Sequence, residues 1–334
     1  MGRSVAAGGC TLDPVFTYVA RRIVYSVPIL LIASILVFVF VRATTDPLAK
    51  FAQSRDPGAI LRAKHELGLD QPLVSQYWHW VSGFVRGSWG LSFVTHESVA
   101  SAVSRALWNT VQLILWGIGI SLLVAIAVGV YSAAKQYSVL DYTFTGLAFI
   151  GVSMPPFWFA LMAIQLLGFD LRNWVHSSTP IFYSVGIHSP GVGGPVDYLR
   201  HLALPVATLS VQLIAGWSRY QRSTMLDVMS ADYIRTARAK GLSRNRVLLK
   251  HGLRNALIPL TTVTAIDIGT LFGGLIITET IFGWPGMGHL FFTSLLNGDT
   301  NVLLPWLMVT ATFIIGFNLL ADVVYGLLDP RIRY

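Results

Sequence analysis

The sequence predicts an all-α polytopic membrane protein with six transmembrane helices, and three observations carry that reading. Of the 334 residues, 54% are hydrophobic and 12% are charged, about half the charged share of an ordinary soluble domain. Two runs of 19 uncharged residues, 23–41 and 303–321, stand near the two ends of the chain. At about 1.5 Å per residue, each is long enough for the roughly 30 Å of hydrocarbon in a bilayer. The cations gather in one late loop and beside the apolar runs, as they do on the cytoplasmic side of membrane proteins.

Taken in order, residues 1–20 are small and polar, include Pro14, and read as a cytoplasmic tail. Cys10 is the single cysteine, which excludes an intrachain disulfide and a cysteine-built zinc cluster. No apolar run precedes it, so AAGGC at 6–10 reads as a free cytoplasmic thiol and not as a lipoprotein cleavage site. The first span, 23–41, lies between the Arg21, Arg22 pair and Arg42. The pair keeps the N-terminus inside, and the span is expected to stay as an uncleaved anchor. Residues 42–107 are polar enough to form an extracytoplasmic cap between spans 1 and 2. Within it Asp56 with Pro57 opens a short helix that Gly68 ends, and Gln71 with Pro72 opens another. Trp78, Trp80 and Trp89 fit either a core for the cap or an interfacial belt.

The second span, 108–131, carries Gly117, Gly119 and Gly129, small enough for helices to approach closely. The third, 142–167, is interrupted by Pro155 and Pro156. Carbonyls freed there are tolerable only against protein or a water-filled cavity, which places Ser153 and Pro155 on a substrate pathway or at a packing kink. Residues 169–200 read as an irregular external loop whose His176 and His188 lack the spacing and carboxylate support of a metal site. The fourth span, 202–217, has Pro205 in its first turn and Gln212, a further pathway candidate, in its body; its helix is expected to reach Met229. The fifth, 258–282, carries Gly269, Gly273 and Gly274 and, well inside, Asp267. A charged Asp at a helix centre costs about 2.5–3.5 kcal/mol. That cost leaves three roles for Asp267: recognising a substrate amine, making an internal structural hydrogen bond, or relaying a proton. A turn at 278–290, TETIFGWPGMGHL, leads to the sixth span, 303–321. Six spans put both termini inside the plasma membrane. The charge bias agrees: 15 cations fall on that side, and the shorter external loops hold Arg172 and Arg200.

The loop between spans four and five, 218–256, is the most basic stretch. From Arg219 to Arg254 it holds nine Lys/Arg (Arg219, Arg222, Arg235, Arg238, Lys240, Arg244, Arg246, Lys250, Arg254) against Asp227 and Asp232. Asp232 opens a helix, Gly241 ends it in a left-handed cap, and Ser243 caps a second helix running towards Asn255. Each cation alone satisfies the positive-inside rule; the helix, glycine turn and helix together read as a docking surface. The net charge of +8 therefore points to anionic lipid and a partner protein, not to nucleic acid.

YIRTARAKGL at 233–242 followed by LRNALIP at 253–259 resembles the cytoplasmic coupling loop of ABC-importer permeases in the oligopeptide, dipeptide and nickel branch. LGLDQPLVSQYWHWVSGFVRGSWGLSF at 67–93 is similar to the same family, as is the Glu-x-x-Phe-x-x-Pro-Gly-x-Gly pattern at 279–288. In the broad superfamily the loop reads Glu-Ala-Ala, three residues, Gly; Arg235, Thr236 and Ala237 stand there before Gly241, a variant common in the peptide branch. TTDP at 44–47 stands where the family has Pro-Gly-Asp-Pro.

The resemblance implies a type I ABC importer permease fold over 21–334, serving an ATP-driven importer of di- or oligopeptides by alternating access. A nickel chelate or another small ligand is the alternative cargo. It also implies that Tyr233, Arg235, Thr236, Ala237, Arg238, Ala239, Lys240, Gly241 and Leu242 couple to ATPases, and it assigns Asp267 no role. The implied partners are a second homologous permease subunit, two ATP-binding cassette domains and an extracytoplasmic peptide-binding protein. GxxxxGK[ST], HExxH and GxSxG do not occur in the sequence. No catalytic residue, metal ligand or cofactor is therefore assigned to this chain, and ATP with Mg belongs to the partner subunits. An ion-coupled secondary transporter using Asp267 is the reading from another class; it would ordinarily have more spans and no basic docking helix. A membrane-embedded enzyme would need a convergent catalytic set.

Overall fold

The computed structural model describes residues 14–44, 48, 58–66 and 68–328. Cys10, TTDP beyond Thr44, Asp56 with Pro57, Arg331 and Arg333 lie outside those residues. The first apolar run lies in helix α1 (Pro14–Thr44). Two short helices follow, α2 (Ala59–Glu66) and α3 (Leu73–Val85). Gly68 stops the first at φ +61°, with its N–H donating to the His65 carbonyl at 3.0 Å, and Pro72 precedes the second, as expected. Helix α4 (Val99–Ala134) starts well before 108, so the end of the 42–107 region is the first part of a long helix.

The third span is where the structure departs most from a simple crossing. Helix α5 (Val139–Ser153) opens with the Ser138 hydroxyl accepting the Asp141 N–H at 3.2 Å. The chain resumes as α6 (Pro156–Ala163), a π-helical stretch (Ile164–Asp170) and α7 (Leu171–Trp174), turned by 107° from α5. Met154 and Pro155 each precede a proline, which disfavours the helical region for both; they are extended, at ψ 125° and 137°. The expected mid-span interruption is thus a near right-angle break.

Helix α8 (Pro195–Ser230) is longer than expected at its front, so Pro205 sits inside it and not in its first turn. Next come α9 (Asp232–Ala239), α10 (Arg244–Arg246), a second π-helical stretch (Val247–Leu253) and α11 (Arg254–Gly274). The helix expected to end near Asn255 therefore runs on into the membrane region. The fifth apolar stretch is divided at Leu275, beyond which lie α12 (Ile276–Ile281), α13 (Met287–Leu296) and α14 (Thr300–Leu328). Among the described residues, four helices (α1, α4, α8 and α14) are long and apolar enough to cross a membrane, or five if the bent pair is one span.

Lipid tails are as apolar as leucine, so helices in a membrane associate through close packing and polar contacts. The centre is the α4–α8 pair, where Leu113 and Ile114 meet Leu202, Val206 and Leu209 above Trp284. A Cβ at Gly117 would overlap Leu209, and one at Gly129 would overlap Gln221; Gly119 faces open space and takes no part. Helix α1 buries Phe38 and Val41 against Leu304, Tyr77 and Trp80 and exposes Leu36, Val39 and Phe40. Trp80 belongs to that core; Trp89 stacks on Phe84 at 5.1 Å and packs in a separate cluster with Val99, Val103 and Trp306, whereas Trp78 is exposed.

The TETIFGWPGMGHL turn is clamped onto α4 by a fully buried carboxylate. Glu279 accepts the Thr110 hydroxyl at 2.6 Å and the N–H groups of Gly288 and His289 at 2.6 and 3.1 Å, at the start of α13. A Cβ on Gly286 would overlap Glu279, and one on Gly288 the backbone of Ile276. The glycines are required by close approach. Burial lowers the pKa of the neighbouring His289 imidazole. The 42–107 region is tied on similarly: buried Asp299 accepts the Ser92 hydroxyl at 2.5 Å and the Phe93 N–H at 3.3 Å.

In the loop at 169–200, His188 does have carboxylate support. Buried Asp197 accepts from His188 at 3.0 Å and from Ser189 N–H and hydroxyl at 3.0 and 2.8 Å, and so pins the loop to α8. Among the described residues, no group of three or more His, Cys, Asp or Glu is arranged to hold a metal.

Candidate functional site

Two places hold the residues singled out by the sequence: the short helix α9 and the break after Ser153. Helix α9 closes in a Schellman motif. Gly241, at φ +76°, donates its N–H to Arg238 at 2.9 Å, and the Leu242 N–H reaches back to Ala237 at 3.4 Å. A Cβ at Gly241 would meet nothing within 4 Å, so the demand for glycine comes from the backbone angle. At the other end Ala231 is extended and Asp232 is the first helical residue. Ser243 stands at the N-cap of α10 but caps without its side chain.

Helix α9 is held by one narrow face. Ile234 and Ala237, three residues apart, bury against Val247, with Met229 and Leu242 closing the cluster. Of the nine proposed coupling residues, Ala237 and Leu242 therefore face inward as anchors, while Tyr233, Arg235, Thr236, Arg238, Ala239, Lys240 and Gly241 are exposed. The basic loop is also less free than its composition suggests. Arg222 pairs with Asp141, Arg219 lies 4.3 Å over the Phe149 ring, and Arg244 donates to the last carbonyl of α4, Ala134, at 2.9 Å. Arg235 stays near Asp232 at 3.5 Å with both side chains exposed, a contact worth little.

At the break, Ser153 and Pro155 border an open cavity of about 500 Å³ walled by Phe149, Phe157 and Trp158. Gln212 of α8 donates to the Met154 carbonyl at 3.0 Å, which satisfies a backbone acceptor at the break. Ser153, Pro155 and Gln212 are thus brought together. Asp267 is not among them. It accepts the indole N–H of buried Trp217 at 2.7 Å across α8 and α11. Gln212 and Trp217 are five residues apart on α8, about 140° round the helix, so the break and the carboxylate lie on different sides of it. Sequence reasoning missed the Trp217, Arg244 and Asp141 contacts, because their partners are 50, 110 and 81 residues away. The available signal was negative: an Asp in an apolar run requires some partner.

Comparison with known proteins agrees with this architecture. Residues 125–334 match the family "Binding-protein-dependent transport system inner membrane component", and residues 15–114 match the N-terminal component of the same kind of system. The oligopeptide transport system permease protein OppB of Mycobacterium tuberculosis is 39% identical, covering 95% of this chain and 98% of its own. The glutathione transport system permease protein GsiC of Escherichia coli is 36% identical, covering 95% and 99%. The fold is similar to a chain of the inward-facing MetNI methionine ABC transporter, with a TM-score of 0.53 at 17% identity over 68% of this chain and 96% of that one. With the family profile matched along its C-terminal two thirds and relatives aligned over nearly its whole length, this chain belongs to the binding-protein-dependent transport system inner membrane components.

Proposed function

We propose that the chain is a permease subunit that moves di- or oligopeptides inward through the plasma membrane in an ATP-driven importer. The observation that carries the cargo is identity of 36–39% with oligopeptide and glutathione permeases along 95% of the chain. Six spans with both termini cytoplasmic, and residues 42–107 as an extracytoplasmic cap, complete the topology; the concentration of cations around α9 supports that orientation.

The exposed residues of α9, with Gly241 setting its end, dock into a partner ATPase, and two such ATPases hold ATP and Mg. A second homologous permease completes the pore, and an extracytoplasmic binding protein delivers the peptide. ATP-driven closure of the ATPases moves α9. The anchors Ile234 and Ala237 and the bond from Arg244 to α4 pass that motion to the membrane helices. Ser153, Pro155 and Gln212 lie on the pathway, where an extended chain segment and open wall allow the helices to hinge.

Transport by the reconstituted complex of labelled di- and oligopeptides, with a nickel chelate as the competing cargo, tests the assignment. Peptide uptake that needs ATP and the binding protein is expected. Uptake of the chelate alone would reassign the cargo, and Arg238→Glu should abolish stimulation while leaving the chain in the membrane.

A further inference from the structure

The α3 helix and the Arg42 end of α1 enclose a second cavity, of about 740 Å³, far from α9 in the chain. Arg42, His65, His79 and Arg86 line it, and no Asp or Glu does so among the described residues. Two polar atoms of these lining residues are buried without a hydrogen-bond partner: Arg42 Nε, a donor, and Gln76 Oε1, an acceptor. Gln76 donates its amide to the Gln71 carbonyl at 2.8 Å, which leaves its oxygen as an acceptor. Buried polar groups are nearly always satisfied, so the pair asks for a ligand with an anionic acceptor at one end and a donor at the other.

Depth narrows the chemistry. Arg42 is the first charge after the uncharged run 23–41, and Leu36, Val39 and Phe40 immediately before it are exposed. The guanidinium, held 5.5 Å from the Phe38 ring centroid, thus lies at the level where a bilayer changes from hydrocarbon to headgroup. Planar guanidinium donors match phosphate oxygens.

We propose that this cavity is a phosphate-binding site for the headgroup of a phospholipid in the leaflet at that end of α1. Arg42 takes the phosphodiester, Arg86 adds charge from the end of α3, and Gln76 accepts from a headgroup hydroxyl or ammonium. A lipid with a donor, such as phosphatidylglycerol, is therefore preferred to phosphatidylcholine, whose quaternary ammonium has no N–H. The inference does not depend on the peptide cargo or on the orientation of the chain.

The test is lipid retention by native mass spectrometry on the transporter purified from membranes with its associated subunits, stripped of lipid and incubated with dioleoyl phosphatidylglycerol or dioleoyl phosphatidylcholine. Wild type is expected to retain the former about fivefold better, Arg42→Gln to lose about fivefold of that retention, and Gln76→Leu to bring the two lipids level. Should Arg42→Gln fail to fold, Arg86→Gln changes an exposed side chain and is expected to lower retention about twofold. Equal retention by wild type and the arginine variants overturns the proposal. Displacement of the lipid by excess inorganic phosphate overturns the lipid as its source.

Discussion

Arg222 of α8 grips Asp141 at the start of α5 through two parallel bonds, Nε to Oδ1 at 2.8 Å and Nη2 to Oδ2 at 2.9 Å. Asp141 is buried and also accepts the Tyr137 N–H at 3.0 Å, so the near end of the broken span is bolted to the helix that leads into α9. Asp141→Ala should destabilise the chain by about 3 kcal/mol, the lower end of the range for breaking a buried pair, because Arg222 keeps part of its solvation. Thermal unfolding in detergent of both single variants and the double variant measures the coupling. Strict additivity would show that the pair contributes no interaction energy of its own.

Gly241 is a conformational requirement with open space around it. Gly241→Val is expected to strain the cap by about 1–2 kcal/mol and to displace Leu242 from the cluster that anchors α9. The chain stays inserted and loses ligand-stimulated ATP turnover in the reconstituted complex. Gly241→Asn should keep most of it, since asparagine tolerates the left-handed region. Normal stimulation in the valine variant would remove α9 from coupling.

Asp267→Asn leaves an amide oxygen able to accept the Trp217 indole, so folded yield should hold and any change in transport isolates the charge. Asp267→Leu removes the acceptor and leaves a buried indole N–H unpaired, at a cost of about 1–3 kcal/mol. Unchanged transport in the asparagine variant at normal yield would confine Asp267 to its structural bond with Trp217.

Glu279→Ala should be more damaging than any exposed change. It leaves the Gly288 and His289 N–H groups and the Thr110 hydroxyl without their common acceptor, and we expect a loss of about 3–5 kcal/mol, seen as a lower thermal midpoint. Thr110→Val removes one of those bonds and a bond from the Met287 N–H at 2.8 Å, and should cost about 1–3 kcal/mol. A wild-type midpoint in Glu279→Ala would contradict the clamp.

The sequence by itself determined the membrane class, the apolar runs within α1, α4, α8 and α14, and the helix, glycine turn and second helix at 232–246, because each is written in local composition, capping or a required backbone angle. Even the break after Ser153 was legible, since two consecutive prolines remove two backbone donors and disfavour the helical region for the residue before each. Tertiary structure decided the turn of 107° at that break, the inward placement of Ala237 and Leu242, the engagement of Arg219, Arg222 and Arg244, and the separation of Asp267 from Gln212. Those outcomes depend on pairs up to 110 residues apart. Positional periodicity says which face of a helix is apolar, but the partner of a charge is set by how whole helices pack, and a basic side chain reads the same in sequence whether it meets a carboxylate, an aromatic ring, a helix end or water.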